Sequence, residues 1–329
     1  MALGGPRSIS AVMMARNRAD VVGEVLHRLA ELPIDEVVVV DNGSDDGTPE
    51  VVESCAADWE APRRLELVRC ETNVGVAARN VALRRARNDL VLLVDDDSYP
   101  LPGSIERLVA AFEANDRLAV AGGFVVEVDE HKNVTNSTEP GSFDWMLRAG
   151  AVGDPPVDGF RTYFFPEGAA LARRDAVLGV GGFYEKFFFT QEGFELTARL
   201  LGAGWDVRYL PTAPFHHMKA PKDRGDHSTL LRLAVRNHLW YFWLRFPPAV
   251  AARRIPAYAA YDLLQAAYRG VPGAWWAGVR DAWREREVVR DDRAPLDRAV
   301  VRRAELRRGR AHLRLVLLMG LRLLRRLRP

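Results

Sequence analysis

The sequence predicts an α/β fold: an open, mostly parallel sheet with helices on both faces, followed by a helical C-terminal extension. Three observations lead there. Short continuous apolar runs at residues 9–14, 36–40, 65–69 and 90–94 read as strands covered on both faces. Stretches of helical periodicity separate them, and repeated strand–helix alternation is the mark of a parallel sheet. From residue 226 onward, alanine, leucine and aromatic residues at helical spacing replace the alternation.

Each element follows from local chemistry. The first run is interrupted by Ala15, Arg16, Asn17 and Arg18, and residues 21–32 then carry apolar side chains at helical spacing until Pro33 ends them. Residues 36–40 deliver Asp41, Asn42, Gly43, Ser44, Asp45, Asp46 and Gly47 into a turn-rich loop, and Thr48 or a neighbouring acid caps a helix over residues 49–57. The third run leads through Asn73 and Gly75 into a helix over residues 77–87. The fourth ends in Asp95, Asp96 and Asp97. Adjacent carboxylates repel one another, so a cluster directly after a buried strand points to a divalent cation.

In open parallel sheets ligands bind at the carboxyl ends of the strands. The polar loops at residues 16–20, 41–47, 73–80 and 95–98 are therefore expected to gather into one site. A dinucleotide-binding dehydrogenase requires GxGxxG after the first strand, where this chain reads MMARNRAD, and a GxxxxGK phosphate loop is also missing. A metal held by Asp95 and Asp97 would neutralise phosphate oxygens without either motif.

Composition narrows the class. With 329 residues and 48% hydrophobic content the chain can bury a large core, and 46 basic against 44 acidic residues leave a net charge of +2, too little to predict nucleic-acid binding. Cys55 and Cys70 form neither a metal-ligand spacing nor a redox pair, which fits a reducing compartment. The N-terminus carries no apolar signal core, and no uncharged run approaches the roughly 20 residues that cross a bilayer. The basic charge concentrates at the end: residues 302–329 hold ten arginines and one acid, Glu305.

VVVVDNGSDDGT, TNVGVAARN and LVLLVDDDSYPLPGSIERLV resemble successive signatures of the family 2 glycosyltransferases, among them bacterial rhamnosyltransferase-like members. The resemblance implies a GT-A fold and an inverting, metal-dependent transfer of a sugar from a nucleoside diphosphate donor to a hydroxyl acceptor. The acceptor would be a cell-surface glycan, a lipid-linked saccharide or a secondary metabolite. It also implies that Asp41 contacts the base, Asp95 approaches the ribose and Asp97 is the principal ligand of Mn²⁺ or Mg²⁺, with Arg16, Asn73 and Arg79 as further nucleotide-binding candidates. Residues 1–125 would form the nucleotide-sugar-binding half, 126–225 the acceptor-side half, and 226–329 a helical region.

YFFPEGAALAR and DAVLGVGGF extend the resemblance to the donor-sugar wall, although Gly168, Ala169 and Ala170 equally suit tight packing of a buried strand. In FFFTQEGFELTARLLGAGW, Glu192, Glu195, Arg199, Gly204 and Trp205 match the acidic-helix frame. Gly193 departs from it, standing where the family normally carries an acid. Inversion needs a carboxylate to take the acceptor's proton; Glu192 is the best remaining base, and Glu195 could share its helical face and either orient it or bind acceptor. Helix N-terminal acids interacting with the dipole are the plainer alternative.

Downstream, His216 or His217 could complete the metal site. Lys219, Lys222 and Arg224 form either a mobile phosphate-covering loop or ordinary surface charge. Residues 129–158 read as a loop over the acceptor. Residues 313–327 place arginines opposite leucines, which suits either a membrane surface or a packed helix with a solvated arginine face. The expected setting is cytoplasmic, with peripheral attachment to the inner face of the plasma membrane. Two other classes stay open: a nucleotidyltransferase, and a non-catalytic sugar-nucleotide-binding or scaffold protein.

Overall fold

The sheet is built outward from two valine- and leucine-rich strands whose side chains are buried on both faces. In a computed structural model that describes residues 8–129, 131, 134–137, 154–218 and 227–302, β1 (Ile9–Ala15) pairs in parallel with β2 (Glu36–Asn42) and with β4 (Leu90–Asp95), and β2 with β3 (Arg64–Cys70). Ile9, Ala11, Met13, Val37, Val39, Leu90, Leu92 and Val94 share one core with α1 (Val22–Ala30) and α4 (Ser104–Ala114). The alternate set, Val12, Val38, Val40, Val91 and Leu93, is equally buried, and α3 (Ala77–Arg85) packs on β1 and β2. Both faces are thus covered, which is why these strands read as continuous apolar runs rather than alternating ones. Each such side chain contributes about 1.5–3 kcal/mol by leaving water.

Beyond β4 the sheet changes direction. β9 (Ala169–Arg173) runs antiparallel between β4 and β6 (Leu118–Val128), and β10 (Asp206–Met218) pairs in parallel with β6 and antiparallel with β5 (Ser98–Pro100). The order is β3-β2-β1-β4-β9-β6-β10-β5, with β7 (Val134–Ser137) on β6 and β8 (Phe160–Arg161) on β10. β10 runs well beyond the short apolar run at residues 207–210. Pro211 and Pro214 fall at a register shift between Tyr209 and Pro214, and the strand resumes beyond it, since a proline can sit in a sheet only where no ladder donor is required. Helix α2 (Thr48–Ser54) follows the loop after β2, and α5 (Arg174–Gly179) follows β9.

The chain divides into two units, one of residues 1–185 and 203–221, the other of residues 186–202 and 222–329. The acidic helix α6 (Glu192–Gly202) therefore groups with the C-terminal helices rather than with the middle of the chain. That second unit holds α7 (His227–Arg245), α8 (Pro248–Tyr268), α9 (Pro272–Arg284) and α10 (Arg286–Val289). Pro248 opens α8 at a position whose backbone N–H has no helical partner. Leu231, Val235, Ala266 and Ala274 form the helical core, Arg232 pairs with Asp281, and His238 Nδ1 lies 2.9 Å from Asp262. No helix among the described residues is long and apolar enough to cross a membrane. The basic stretch 313–327, Lys219, Lys222, Arg224 and most of the 129–158 loop lie outside the described residues.

Candidate active site

The chain leaves β1, builds outward to β3, and returns to the other side of β1 as β4, so the carboxyl ends of β1 and β4 diverge into a crevice. Two loops are locked together beside it. Asn17 N–H donates to Ser44 Oγ at 3.0 Å, Asp45 N–H to Asn17 Oδ1 at 3.0 Å, and Arg18 N–H to Thr48 Oγ1 at 2.6 Å. Burial pushes the Asp46 carboxyl up, but hydrogen bonds from Thr48 and Ala19 outweigh it and hold the group below the usual carboxylate range. Asp41 is buried at the end of β2 and accepts the Ser44 N–H at 3.3 Å. Asn42 reaches across to the third loop, donating to Asn73 Oδ1 at 3.1 Å and accepting the Val74 N–H at 2.8 Å. Gly43 has φ +72°, and a β-carbon there would stand 2.7 Å from the Thr72 carbonyl carbon, so only glycine permits these two loops to touch.

At the end of β4 the three aspartates separate. Asp95 N–H donates to Ser98 Oγ at 2.9 Å, and Ser98 Oγ donates to the Gly168 carbonyl at 2.5 Å. Asp95 Oδ1 pairs with Arg79, whose other nitrogen donates to the Glu167 carbonyl at 3.2 Å. Asp96 turns to Arg18, 3.2 Å away. Asp97 is 1% exposed, and His217 Nε2 lies 3.3 Å from its Oδ1. One ligand atom from each of Asp95, Asp97 and His217 falls within 4.8 Å of the others. Two carboxylate oxygens and an imidazole nitrogen suit Mn²⁺, and the oxygens suit Mg²⁺, so the residues fit the expected ion.

The second unit carries the acidic helix. Glu192 is buried to 7% exposure in its first turn. The loop leading into it holds Phe188, Thr190 and Gln191 at φ 64°, 71° and 65°, a conformation that L-residues adopt only when the surroundings impose it. Asn237 on α7 imposes it: its amide lies 3.0, 2.7 and 3.1 Å from the carbonyl oxygens of Phe187, Phe189 and Thr190. Glu195, the second acid of this helix, is fixed by arginines. It is wholly buried, with Arg199 Nε 2.8 Å and Arg245 Nε 2.6 Å from Oε1, so two guanidinium groups occupy the lone pairs a proton acceptor would need.

A family model, "Glycosyl transferase family 2", matches residues 10–180, just over half the chain. The chain belongs to glycosyl transferase family 2. It is 26% identical over 189 residues to the amylovoran biosynthesis glycosyltransferase AmsE of Erwinia amylovora, covering 57% of this chain and 65% of that one. It is 28% identical over 249 residues to an N-acetylglucosaminyl-diphospho-decaprenol L-rhamnosyltransferase of Mycobacterium tuberculosis, covering 64% and 78%. A mannosyltransferase from Pyrobaculum calidifontis, solved with GDP-Man and Mn²⁺, superposes with a TM-score of 0.55 at 18% identity over 97% of this chain and 88% of that one. The fold is accordingly of the GT-A type. The chain thus spans just under two thirds of the Erwinia relative's length.

Within this family 2 chain, the structure brings Asp41, Asp95 and Arg79 to the crevice end of the sheet, with Asn73 in the neighbouring loop and Arg16 exposed after β1. Arg79 is 5% exposed and donates to Asp95 and to the Glu167 carbonyl, which makes it a brace for Asp95. Of the two histidines only His217 joins the acids. His216 Nδ1 is 3.3 Å from the Tyr99 hydroxyl. Arg18 and Ser98 fall in loops that the sequence assigns to the site, though without a role of their own, whereas Asn237 and Arg245 lie outside every such loop. Ser98 had a local signal, directly after the acids. Asn237 and Arg245 had none, being polar residues in a helix legible only by its aromatic residues.

Proposed function

We propose that the chain is an inverting, metal-dependent glycosyltransferase that moves a hexosyl or deoxyhexosyl group from a nucleoside diphosphate sugar to a hydroxyl of a saccharide acceptor. The observation that carries this reading is the convergence of Asp95, Asp97 and His217 at the end of β4, beside the interlocked loops after β1, β2 and β3. Asp41 and Asn42 would form the floor for the base. Arg79 and Ser98 hold Asp95 in place. Asp95, Asp97 and His217 would hold Mn²⁺ or Mg²⁺, which when bound supplies charge neutralisation for the diphosphate.

In the transfer the acceptor oxygen bonds to the anomeric carbon while the bond to the diphosphate oxygen breaks on the opposite face. The nucleoside diphosphate departs with the electron pair. We assign the acceptor's proton to Glu192, the acid adjoining Gly193. The GDP-Man bound by the Pyrobaculum neighbour supports a nucleotide-sugar donor. The name of the Mycobacterium relative supports a lipid-linked saccharide as acceptor and a rhamnosyl-type donor. Such an acceptor suits a cytoplasmic chain attached peripherally to the membrane's inner face.

Purified protein incubated with Mn²⁺ or Mg²⁺ and a panel of sugar nucleotides should release nucleoside diphosphate in the presence of an acceptor. Release should be lost in Asp97→Ala and Glu192→Gln. Tight nucleotide-sugar binding without turnover on any acceptor would instead favour the non-catalytic reading, for which Gly193 is the specific argument. Release of pyrophosphate would indicate attack at phosphorus and a nucleotidyltransferase.

A further inference from the structure

Helices α7, α8 and α9 enclose an apolar groove of about 470 Å³, walled by Leu239, Trp243, Ile255, Val279 and Trp283. The indole N–H of Trp240, which also lines it, is already donated to the Ala282 carbonyl at 3.0 Å, so that ring offers an entering molecule only its apolar surface. Polar side chains stand at one rim. Arg286 lies over the Trp283 ring at 4.4 Å, and Arg290 pairs with Glu287. Large apolar side chains stay in water nearby, with Trp276 63%, Trp283 69% and Val288 55% exposed.

Charge identifies what covers the groove. Residues 227–302 contain thirteen arginines and seven acids. Five of the acids already pair within the unit: Asp262 with His238, Asp281 with Arg232, Glu285 with Arg236, Asp292 with Lys186, and Glu287 with both Arg286 and Arg290, so that one carboxylate is shared by two guanidinium groups at the rim. The surface left over is positive, rich in arginine and studded with tryptophan, the combination that rests at a membrane interface with an aromatic body in the acyl layer and a cation among the phosphates. Apolar walls open to solvent carry a free-energy cost that an acyl chain seated between them would relieve.

We propose that this groove seats one acyl chain of an anionic membrane lipid, with Arg286 and Arg290 against its phosphate. The groove shares no residue with the catalytic assignments and stands without the assignment of the reaction.

The full chain should be mixed with phosphatidylcholine vesicles with and without phosphatidylglycerol, and with the same vesicles carrying brominated acyl chains. Sedimentation with the anionic vesicles and quenching of tryptophan fluorescence by bromine are expected. Arg286→Glu with Arg290→Glu, both exposed, should lower partition by roughly tenfold or more, given what each basic residue gains near an anionic leaflet. Val279→Glu should abolish quenching. Absence of binding, binding without quenching, or binding unchanged in the rim variant would overturn the proposal, the last two leaving the attachment to the C-terminal arginines. A dimer in free solution that Val279→Glu dissociates would overturn it in favour of an interface between two copies. Nucleoside diphosphate release with a water-soluble acceptor, measured on the same preparations, should be unchanged in the rim variant. Its absence even in the unmodified chain would count against the proposed reaction and not against the groove.

Discussion

His217 Nε2 stands 3.3 Å from Asp97 Oδ1, while the adjacent His216 turns its Nδ1 to the Tyr99 hydroxyl. Successive residues of a strand face opposite ways, so β10 can give only one of the pair to the acids. Removing a partner in the outer shell of a metal site typically costs about 10–100-fold in affinity, and removing a ligand should cost at least as much. His217→Ala should therefore weaken Mn²⁺ binding, titrated by electron paramagnetic resonance, whereas His216→Ala should leave it nearly unchanged. Equal effects of the two substitutions would refute the assignment.

Gly168 packs directly beneath Asp95, leaving no room for a β-carbon. Gly168→Ala should push the carboxylate off its seat between Arg79 and Ser98 and weaken metal and nucleotide binding. Overpacking of this kind costs about 1–3 kcal/mol, so the fold should survive with a lowered melting temperature. An alanine variant that binds nucleotide and Mn²⁺ as the parent does would show that Asp95 can move without consequence.

Much of this site could be read from sequence, and the parts that could not share a physical reason. The strands around Val37 to Val40 and Leu90 to Val94 are legible because burial on both faces leaves no polar position to blur them. Asp95 and Asp97 are legible because three adjacent carboxylates have no comfortable structural explanation. The choice between His216 and His217 depends on the pairing of His216 with Tyr99 and of His217 with Ser98, a register fixed only when β5 and β10 meet. β9 enters the sheet antiparallel between β4 and β6, a non-local pairing that no short window records. Glu195 has the type and spacing of a catalytic acid. What its type and spacing do not reveal is its partner Arg245, fifty residues further on.

Glu192 and Glu195 should consequently fail in different ways. Removing one partner from a buried ion pair costs about 3–5 kcal/mol, because the other charge stays buried without compensation. Glu195→Ala should lower stability by about that amount in denaturant unfolding of the second unit. Glu192→Gln should leave unfolding almost unaltered and reduce turnover by about 10²–10⁴-fold, the usual contribution of a positioned base. If Glu195→Ala unfolds like the parent chain and loses only turnover, the roles assigned to the two acids are reversed.

Acid should destabilise the first unit through two identifiable carboxylates. Asp46 is held below its ordinary range by Thr48 and Ala19 against the upward push of burial; Asp206 is likewise lowered, burial being outweighed by Asn115 and Arg208. A carboxyl whose folded pKa lies below its unfolded value near about 3.9 binds fewer protons when folded. Its contribution is therefore complete above the unfolded pKa and is lost as pH falls through the folded one. Denaturant unfolding should accordingly report constant contributions from both groups from neutrality down to about pH 5 and a decline below about pH 4. Asp46→Asn combined with Asp206→Asn should flatten that decline, at the expense of some stability at neutral pH. An acid limb as steep in the double variant as in the parent chain would mean that other carboxylates govern it.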